Sequence, residues 1–220
     1  MAWEIESVKQ AYGCNREILK HFREKRGWTQ SEFSRIAGYS ERLISKAESG
    51  RSISSETVCN LAEALSTDEE PVYPEDLVCD PVESTKRYIA AVYKHQRDFP
   101  TVVRHLLHDE IVIQMAGDPA QIPFAGRFEG IDGVQVFADR FFAILESPKD
   151  HDPGKWYQYI GQGNEVVAWG ESWIHPIGQP MEKPMPVTNL FRFRRGKIVY
   201  LDDRYDTQLG AETIFQSGKD

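Results

Sequence analysis

Thr29-Gln30-Ser31-Glu32-Phe33-Ser34-Arg35-Ile36-Ala37-Gly38-Tyr39-Ser40-Glu41-Arg42-Leu43-Ile44-Ser45-Lys46-Ala47-Glu48-Ser49-Gly50 decides how the chain is read. Thr29 and Glu32 have the spacing of a capping box, in which each side chain accepts from the other's backbone N–H. Trp28 and Phe33 flank that cap as a hydrophobic staple. Phe33, Ile36 and Ala37 give a first short helix its apolar face. Gly38 stands where the chain must turn, because glycine takes positive φ without steric cost. Ser40 suits the cap of a second helix, with Ile44 and Ala47 on its inner face. Glu41, Arg42, Ser45 and Lys46 are left pointing outward.

The flanks extend the pattern. Residues 15–26 read as a helix with Ile18, Leu19 and Phe22 inward and Gly27 ending it. Residues 51–54 read as a loop, after which Ser54 caps a helix through Leu65. Its inner stripe is Val58, Leu61, Ala62 and Leu65, and Cys59 is expected to pack beside it as a small hydrophobe. Residues 1–13 carry little pattern and read as a short extension or arm.

Residues 16–66 resemble the helix-turn-helix of the Xre/Cro-type DNA-binding family, with a lambda-repressor-like all-α fold. The residues that carry the likeness are Thr29-Gln30, Gly38, Ile44, Glu48-x-Gly50 and Leu61-Ala62-x-Ala64-Leu65. Ser34 stands where the family usually has alanine, and serine is small enough for that place. The resemblance implies that Gln30 contacts a phosphate and braces the recognition helix. It places Glu41, Arg42 and Lys46 toward the major groove, with Ser45 beside them. Arginine and lysine suit guanine O6 and N7, and glutamate accepts from cytosine N4. Arg23 and Glu48 correspond to the family's structural ion pair.

The 220 residues are enough for two modest domains. Net charge is −8, which by itself argues against nucleic acid, but the acidity is localised. Residues 14–65 hold nine Lys/Arg against seven Glu, whereas residues 66–85 hold seven acidic residues and no Lys or Arg. A weakly basic reader implies modest non-specific affinity and a need for dimerisation. The acidic run contains Pro71, Pro74 and Pro81 and reads as a solvated linker, with a short helix starting at Pro74. No apolar run approaches the ~20 residues of a membrane span, and the start carries no signal-peptide pattern. Cys14, Cys59 and Cys79 are odd in number and scattered, which fits a reducing cytoplasm. No HxH, HxxxH or HExxH pattern is present, so neither metal nor cofactor is expected.

The second half has a different grammar. Residues 82–99 read as a helix, with Tyr88, Ile89, Val92 and Tyr93 on one side. A short helix is expected at 101–107, a strand at 111–115, a loop over 118–130 and a strong helix over 131–145. The rest reads as strands near 156–160, 166–174, 187–193 and 197–201, with a tight turn at Arg195-Gly196. Helices, one inserted helix and then antiparallel strands make an α+β pattern.

Residues 82–208 resemble SnoaL-like domains, within the superfamily that includes ketosteroid isomerase, polyketide cyclases and limonene-epoxide hydrolase. The likeness rests on residues 123–130 (PFAGRFEG), 189–199 (NLFRFRRGKIV) and 203–207 (DRYDT). It implies a cone-shaped, cystatin-like α+β barrel and divides the chain into residues 1–80 and 81–220. It also implies an apolar pocket. The aromatic residues suited to line it include Phe124, Phe128, Phe142, Trp169, Trp173 and Tyr205. Asp203 shares a face with Leu201 and Tyr205 by alternation. It corresponds to a final-strand carboxylate that often acts as base in the superfamily. Asp203, Arg204 and Asp206 also suit an ion-pair network closing the barrel or a dimer, and this is the favoured reading.

The expected function is a regulator that binds double-stranded DNA as a homodimer and holds a small hydrophobic ligand in its second domain. The alternatives are an isomerase, cyclase or hydratase with an accessory helix-turn-helix, and a dimeric protein-binding scaffold.

Overall fold

A computed structural model describes residues 11–148, 152–179 and 183–216. The chain divides into two compact units, Met1–Asp80 and Pro81–Asp220.

In the first unit, strand β1 (Ala11–Gly13) precedes helices α1 (Arg16–Lys25), α2 (Gln30–Ile36) and α3 (Glu41–Glu48). Strand β2 (Ser52–Ser54) and helices α4 (Ser55–Leu65) and α5 (Pro74–Val78) follow. Each helix start has a chemical reason. Asn15 Oδ1 accepts from the Glu17 and Ile18 N–H groups. The Thr29 box closes both ways, with Thr29 N donating to Glu32 Oε2 at 2.8 Å and Glu32 N donating to Thr29 Oγ1 at 3.2 Å. Trp28 stacks on Phe33 with ring centroids 6.0 Å apart. Ser40 and Ser54 accept from the Leu43 and Thr57 N–H groups. Gly38 turns the chain at φ +72°, a conformation that strains any side chain bearing a Cβ. Ser34 is buried, its hydroxyl donating to the Ser31 carbonyl at 2.8 Å. Phe22, Phe33, Ile44 and Leu61 fill the core, each contributing ~1.5–3 kcal/mol by leaving water.

Three expectations change here. Residues 52–54 are not loop: they pair antiparallel with Ala11–Gly13. Residues 1–10 of the expected arm lie outside the described residues. Cys59 is exposed, because it falls on the outer face of α4, away from the stripe at Val58, Leu61 and Leu65. The acidic run is not a solvated linker either. Glu70 pairs with Lys25 and Arg26, and Val72 and Leu77 are buried. Asn15 donates from its backbone to the Leu77 carbonyl and from its side chain to that of Cys79. The acidity is used to tie the run onto α1.

The second unit opens with helices α6 (Pro81–His95) and α7 (Phe99–Val102), then strands β3 (Leu107–Met115) and β4 (Gly126–Glu129). Helix α8 (Gly130–Phe141) and strands β5 (Leu145–Glu146), β6 (Tyr157–Gln162), β7 (Glu165–Ser172) and β8 (His175–Pro176) follow. Strands β9 (Met185–Arg194) and β10 (Lys197–Tyr205) and helix α9 (Thr207–Gln216) complete it. Six strands form one sheet in the order β4-β3-β10-β9-β7-β6. Helix α8 packs on β3 and β4, and α6 packs on β6 and β7. The β10–β3 pair is parallel, whereas the sequence pattern suggested antiparallel strands throughout. Strand β4 occupies part of the expected loop, and α9 stands where only strands were expected. Arg195 and Gly196 turn the β9–β10 hairpin, both at positive φ, as a two-residue hairpin of matching twist requires.

Strand β10 carries a detail that decides the site. Its register shifts between Ile198 and Tyr200. An extra residue in one strand reverses the phase of every side chain beyond it. Ile198 is buried, and so is Leu201, three residues on. The shift therefore turns Leu201, Asp203 and Tyr205 inward, and Tyr200 outward beneath the Arg192 guanidinium, 5.3 Å from its ring centroid.

Candidate functional sites: a helical surface and an interior cavity

In the first unit, α3 buries Ile44 and Ala47 completely and exposes Glu41, Arg42, Ser45 and Lys46. The helix is held from behind. Arg23 Nε and Nη2 donate to Glu48 Oε1 and Oε2 at 2.5 and 3.0 Å, and Arg23 Nη1 donates to the Trp28 carbonyl at 2.7 Å. Gln30 Nε2 donates to Glu48 Oε2 at 2.8 Å. Glu48 thus joins α1, α2 and α3 through two donors. Gln30 is engaged as a brace by this bond to Glu48.

In the second unit, a cavity lies between the sheet and the helices, in two lobes. Phe141, Ser172, Ile174, Val187 and Asp203 line both lobes, so Asp203 stands at the waist. The outer lobe takes Phe124, Leu145, Pro176, Tyr205 and, from α9, Thr213 and Ile214. The inner lobe takes Tyr88 and Tyr93 from α6, Phe137 from α8, Tyr157 from β6, and Asn189 and Phe191 from β9.

The polar groups at the waist are specific. Asp203 lies directly across from Asn189 in the β10–β9 register, and the Asn189 side chain hydrogen-bonds its carboxyl. Asp203 Oδ1 is closed to solvent without a partner among the described residues. Burial pushes this carboxyl up to about 7, against the opposing pull of the Asn189 hydrogen bond. The Tyr88 hydroxyl is likewise buried without a partner. Tyr93 donates to Ser172 Oγ at 3.1 Å, lies 3.5 Å from the Tyr157 hydroxyl, and accepts from the Trp173 N–H at 3.3 Å. Tyr205 donates to the Ala116 carbonyl at 3.0 Å. Burial raises all four tyrosines, so they remain hydroxyls.

Of the residues expected at a pocket, Phe124, Asp203 and Tyr205 line the cavity, while Phe128, Phe142, Trp169 and Trp173 lie elsewhere. Trp169 follows Ala168, which pairs with the cavity residue Asn189, so alternation sends Trp169 to the opposite face. Phe128 packs on Phe137 beneath the Arg140 guanidinium, Phe142 packs edge-on against Phe141, and Trp173 packs against Trp156. The expected ion-pair network closes differently: Arg204 Nε pairs with Asp202 Oδ1 at 2.8 Å on the outer face, while Asp203 faces the cavity. Tyr88 escaped the sequence reading because its place in the apolar stripe of α6 is that of any core residue. The available signal was chemical: a buried tyrosine hydroxyl needs a partner.

The fold class is therefore a helix-turn-helix unit followed by an α+β unit of NTF2/SnoaL-like type with a curved sheet. A helix-turn-helix family model matches residues 19–72, and a SnoaL-like domain model matches residues 85–201. The second match spans more than half of the chain, which belongs to the SnoaL-like domain family. No curated protein matches the chain. Among solved structures, an NTF2-like protein from Burkholderia xenovorans is similar at 15% identity, covering 61% of this chain and 95% of its own, with a TM-score of 0.50. A protein of cystatin-like fold from Xanthomonas campestris is similar at 15% identity, covering 62% of this chain and 97% of its own, with a TM-score of 0.45. At 15% identity the likeness to the Burkholderia protein shows the fold alone.

Proposed function

We propose that this chain is a transcriptional regulator that reads operator DNA with α3 as a homodimer, in the cytoplasm, and holds a small, largely apolar ligand in the cavity of its second unit. The observation that carries the reading is α3 itself: four polar side chains exposed in a row on a helix that Arg23, Gln30 and Glu48 hold from behind. Arg42 and Lys46 supply the donors for base edges or phosphates, and Glu41 selects against phosphate crowding. One such helix reads only a few base pairs, so a dimer facing two half-sites about 34 Å apart supplies specificity. A ligand in the cavity affects DNA binding only if it favours one arrangement of the chain over another. Titration of labelled duplex DNA with the full chain and with Arg42→Ala and Lys46→Ala, over a range of salt, tests the reading. Binding that neither substitution weakens would refute it.

A second reading is favoured by Asp203. A buried carboxyl that titrates near neutrality beside an apolar cavity is suited to proton transfer. On that reading the second unit is an isomerase, cyclase or hydratase, and Asp203→Asn abolishes turnover while leaving the fold intact.

A further inference from the structure

The cavity's polar lining is one-sided. Among the described residues, neither lobe contains a Lys, Arg or His side chain. The side-chain groups that face it are oxygens: the Asp203 carboxyl and the hydroxyls of Tyr88, Tyr93, Tyr157, Ser172 and Thr213. The nitrogen donor among them, the Asn189 amide, is engaged with Asp203. Two of the oxygens, Asp203 Oδ1 and Tyr88 Oη, are buried without partners among the described residues, and the two groups interact electrostatically. An unpaired buried oxygen costs ~1–3 kcal/mol, and in a native fold it marks a place where something else supplies the hydrogen bond. Around them stand the rings of Tyr88, Tyr93, Phe137, Phe141, Tyr157 and Phe191. An anionic ligand would meet a carboxyl with no cation to offset it. A cation would meet lone pairs, one ionisable carboxyl and aromatic rings, the chemistry that recognises ammonium groups.

We propose that the cavity binds a small amine, its protonated nitrogen donating to Asp203 Oδ1 and Tyr88 Oη and its apolar body filling the two lobes. The inference deepens the reading of the second unit as a ligand-binding domain and rests on it, but not on DNA binding.

Binding of the ammonium requires Asp203 as carboxylate. The ionisable groups around it are Tyr88 and Tyr93 from α6, Tyr157 from β6 and Tyr205 on its own strand, with the Asp202–Arg204 pair on the outer face of that strand. Among the described residues, the helices α8 and α9 and strand β3 present no ionisable side chain to the cavity. Asp203 is therefore the group whose titration near pH 7 sets the pH dependence. For an amine that stays protonated, affinity rises with pH, about tenfold between pH 6 and pH 8.

The test is calorimetric titration of the full chain at pH 6, 7 and 8 with cyclohexylamine, cyclohexanone and cyclohexanecarboxylate. The expected result is that the amine binds, more tightly at higher pH, and at least about tenfold better than the ketone or the acid. Asp203→Asn loses the preference for the amine and its pH dependence. Tyr88→Phe, which keeps the ring packing, weakens the amine several-fold and retains the pH dependence. Circular dichroism of each variant checks the fold. Tighter binding of the ketone, amine affinity that is flat or falling with pH, or no amine binding at millimolar concentration overturns the proposal. DNA binding in the same preparation reports separately on the regulator reading.

Discussion

Asn189 on β9 and Asp203 on β10 face each other directly across the sheet, and the amide hydrogen-bonds a carboxyl buried at the waist of the cavity. Asp203 Oδ1 is closed to solvent and has no hydrogen-bond partner among the described residues. Burial dominates the balance and raises the carboxyl from its ordinary 3.8 to about 7.

A raised carboxyl makes stability depend on pH in a defined direction. Between pH 4 and pH 7 the folded chain holds a proton that the unfolded chain releases, so the contribution is full below pH 4 and is lost as pH rises through 7. At ~1.4 kcal/mol per unit, the rise from 3.8 to about 7 makes the full loss on the order of 4 kcal/mol. Urea unfolding of the second unit at pH 5, 6, 7 and 8 is expected to show a falling midpoint. Asp203→Asn is expected to flatten that fall and to exceed the parent in stability at pH 8. A parent midpoint that rises over this range would contradict the assignment.

The register shift in β10 predicts a tolerated deletion. Val199 is the extra residue between Ile198 and Tyr200, whose partners on β9, Phe193 and Arg192, are adjacent. Removing it leaves Ile198, Leu201, Asp203 and Tyr205 on the inner face by plain alternation. The second unit of the deletion variant is expected to keep its cooperative unfolding transition, as read by near-UV circular dichroism. Loss of that transition would contradict this account of the shift.

Arg23 and Glu48 form a pair with side-chain exposures of 9% and 5%, deep enough that breaking it strands a charge. Glu48→Ala removes the acceptor of both Arg23 and Gln30 and is expected to destabilise the first unit by ~3–5 kcal/mol. The double replacement Arg23→Met with Glu48→Leu is expected to cost much less, because no charge is left alone. Thermal unfolding of the single and double variants measures the difference.

How much of this was legible in sequence varied with the range of the interaction that decides it. The caps at Thr29, Ser40 and Ser54 and the turn at Gly38 depend on residues within four positions, and each appears where the sequence puts it. The SnoaL-like fold was carried by its motifs. The parallel β10–β3 pairing, the side of the sheet taken by Trp169 and the role of Tyr88 depend on register and on distant neighbours, which periodicity does not encode. Asp203 was recognisable as a candidate, but its face rests on one register shift. The acidic run misled because its charge pairs, Glu70 with Lys25 and Arg26, span more than forty residues.

On the DNA side, Arg42 and Lys46 are exposed on α3, and neither forms an ion pair among the described residues. If Lys46 contacts a phosphate, Lys46→Ala is expected to weaken binding uniformly across sequences and to lower the salt slope by about 1. If Arg42 reads a guanine, Arg42→Ala is expected to cost ~1–3 kcal/mol and relax specificity at one position. Fluorescence anisotropy against matched and substituted duplexes separates the two roles.

The most direct test of the regulator reading is selection from a random-sequence duplex pool by the full chain at two salt concentrations. The account predicts enrichment of a palindrome with half-sites one helical turn apart, bound less tightly at the higher salt. A pool that emerges without enrichment at low salt would contradict it and leave the cavity around Asp203 as the centre of the protein's function.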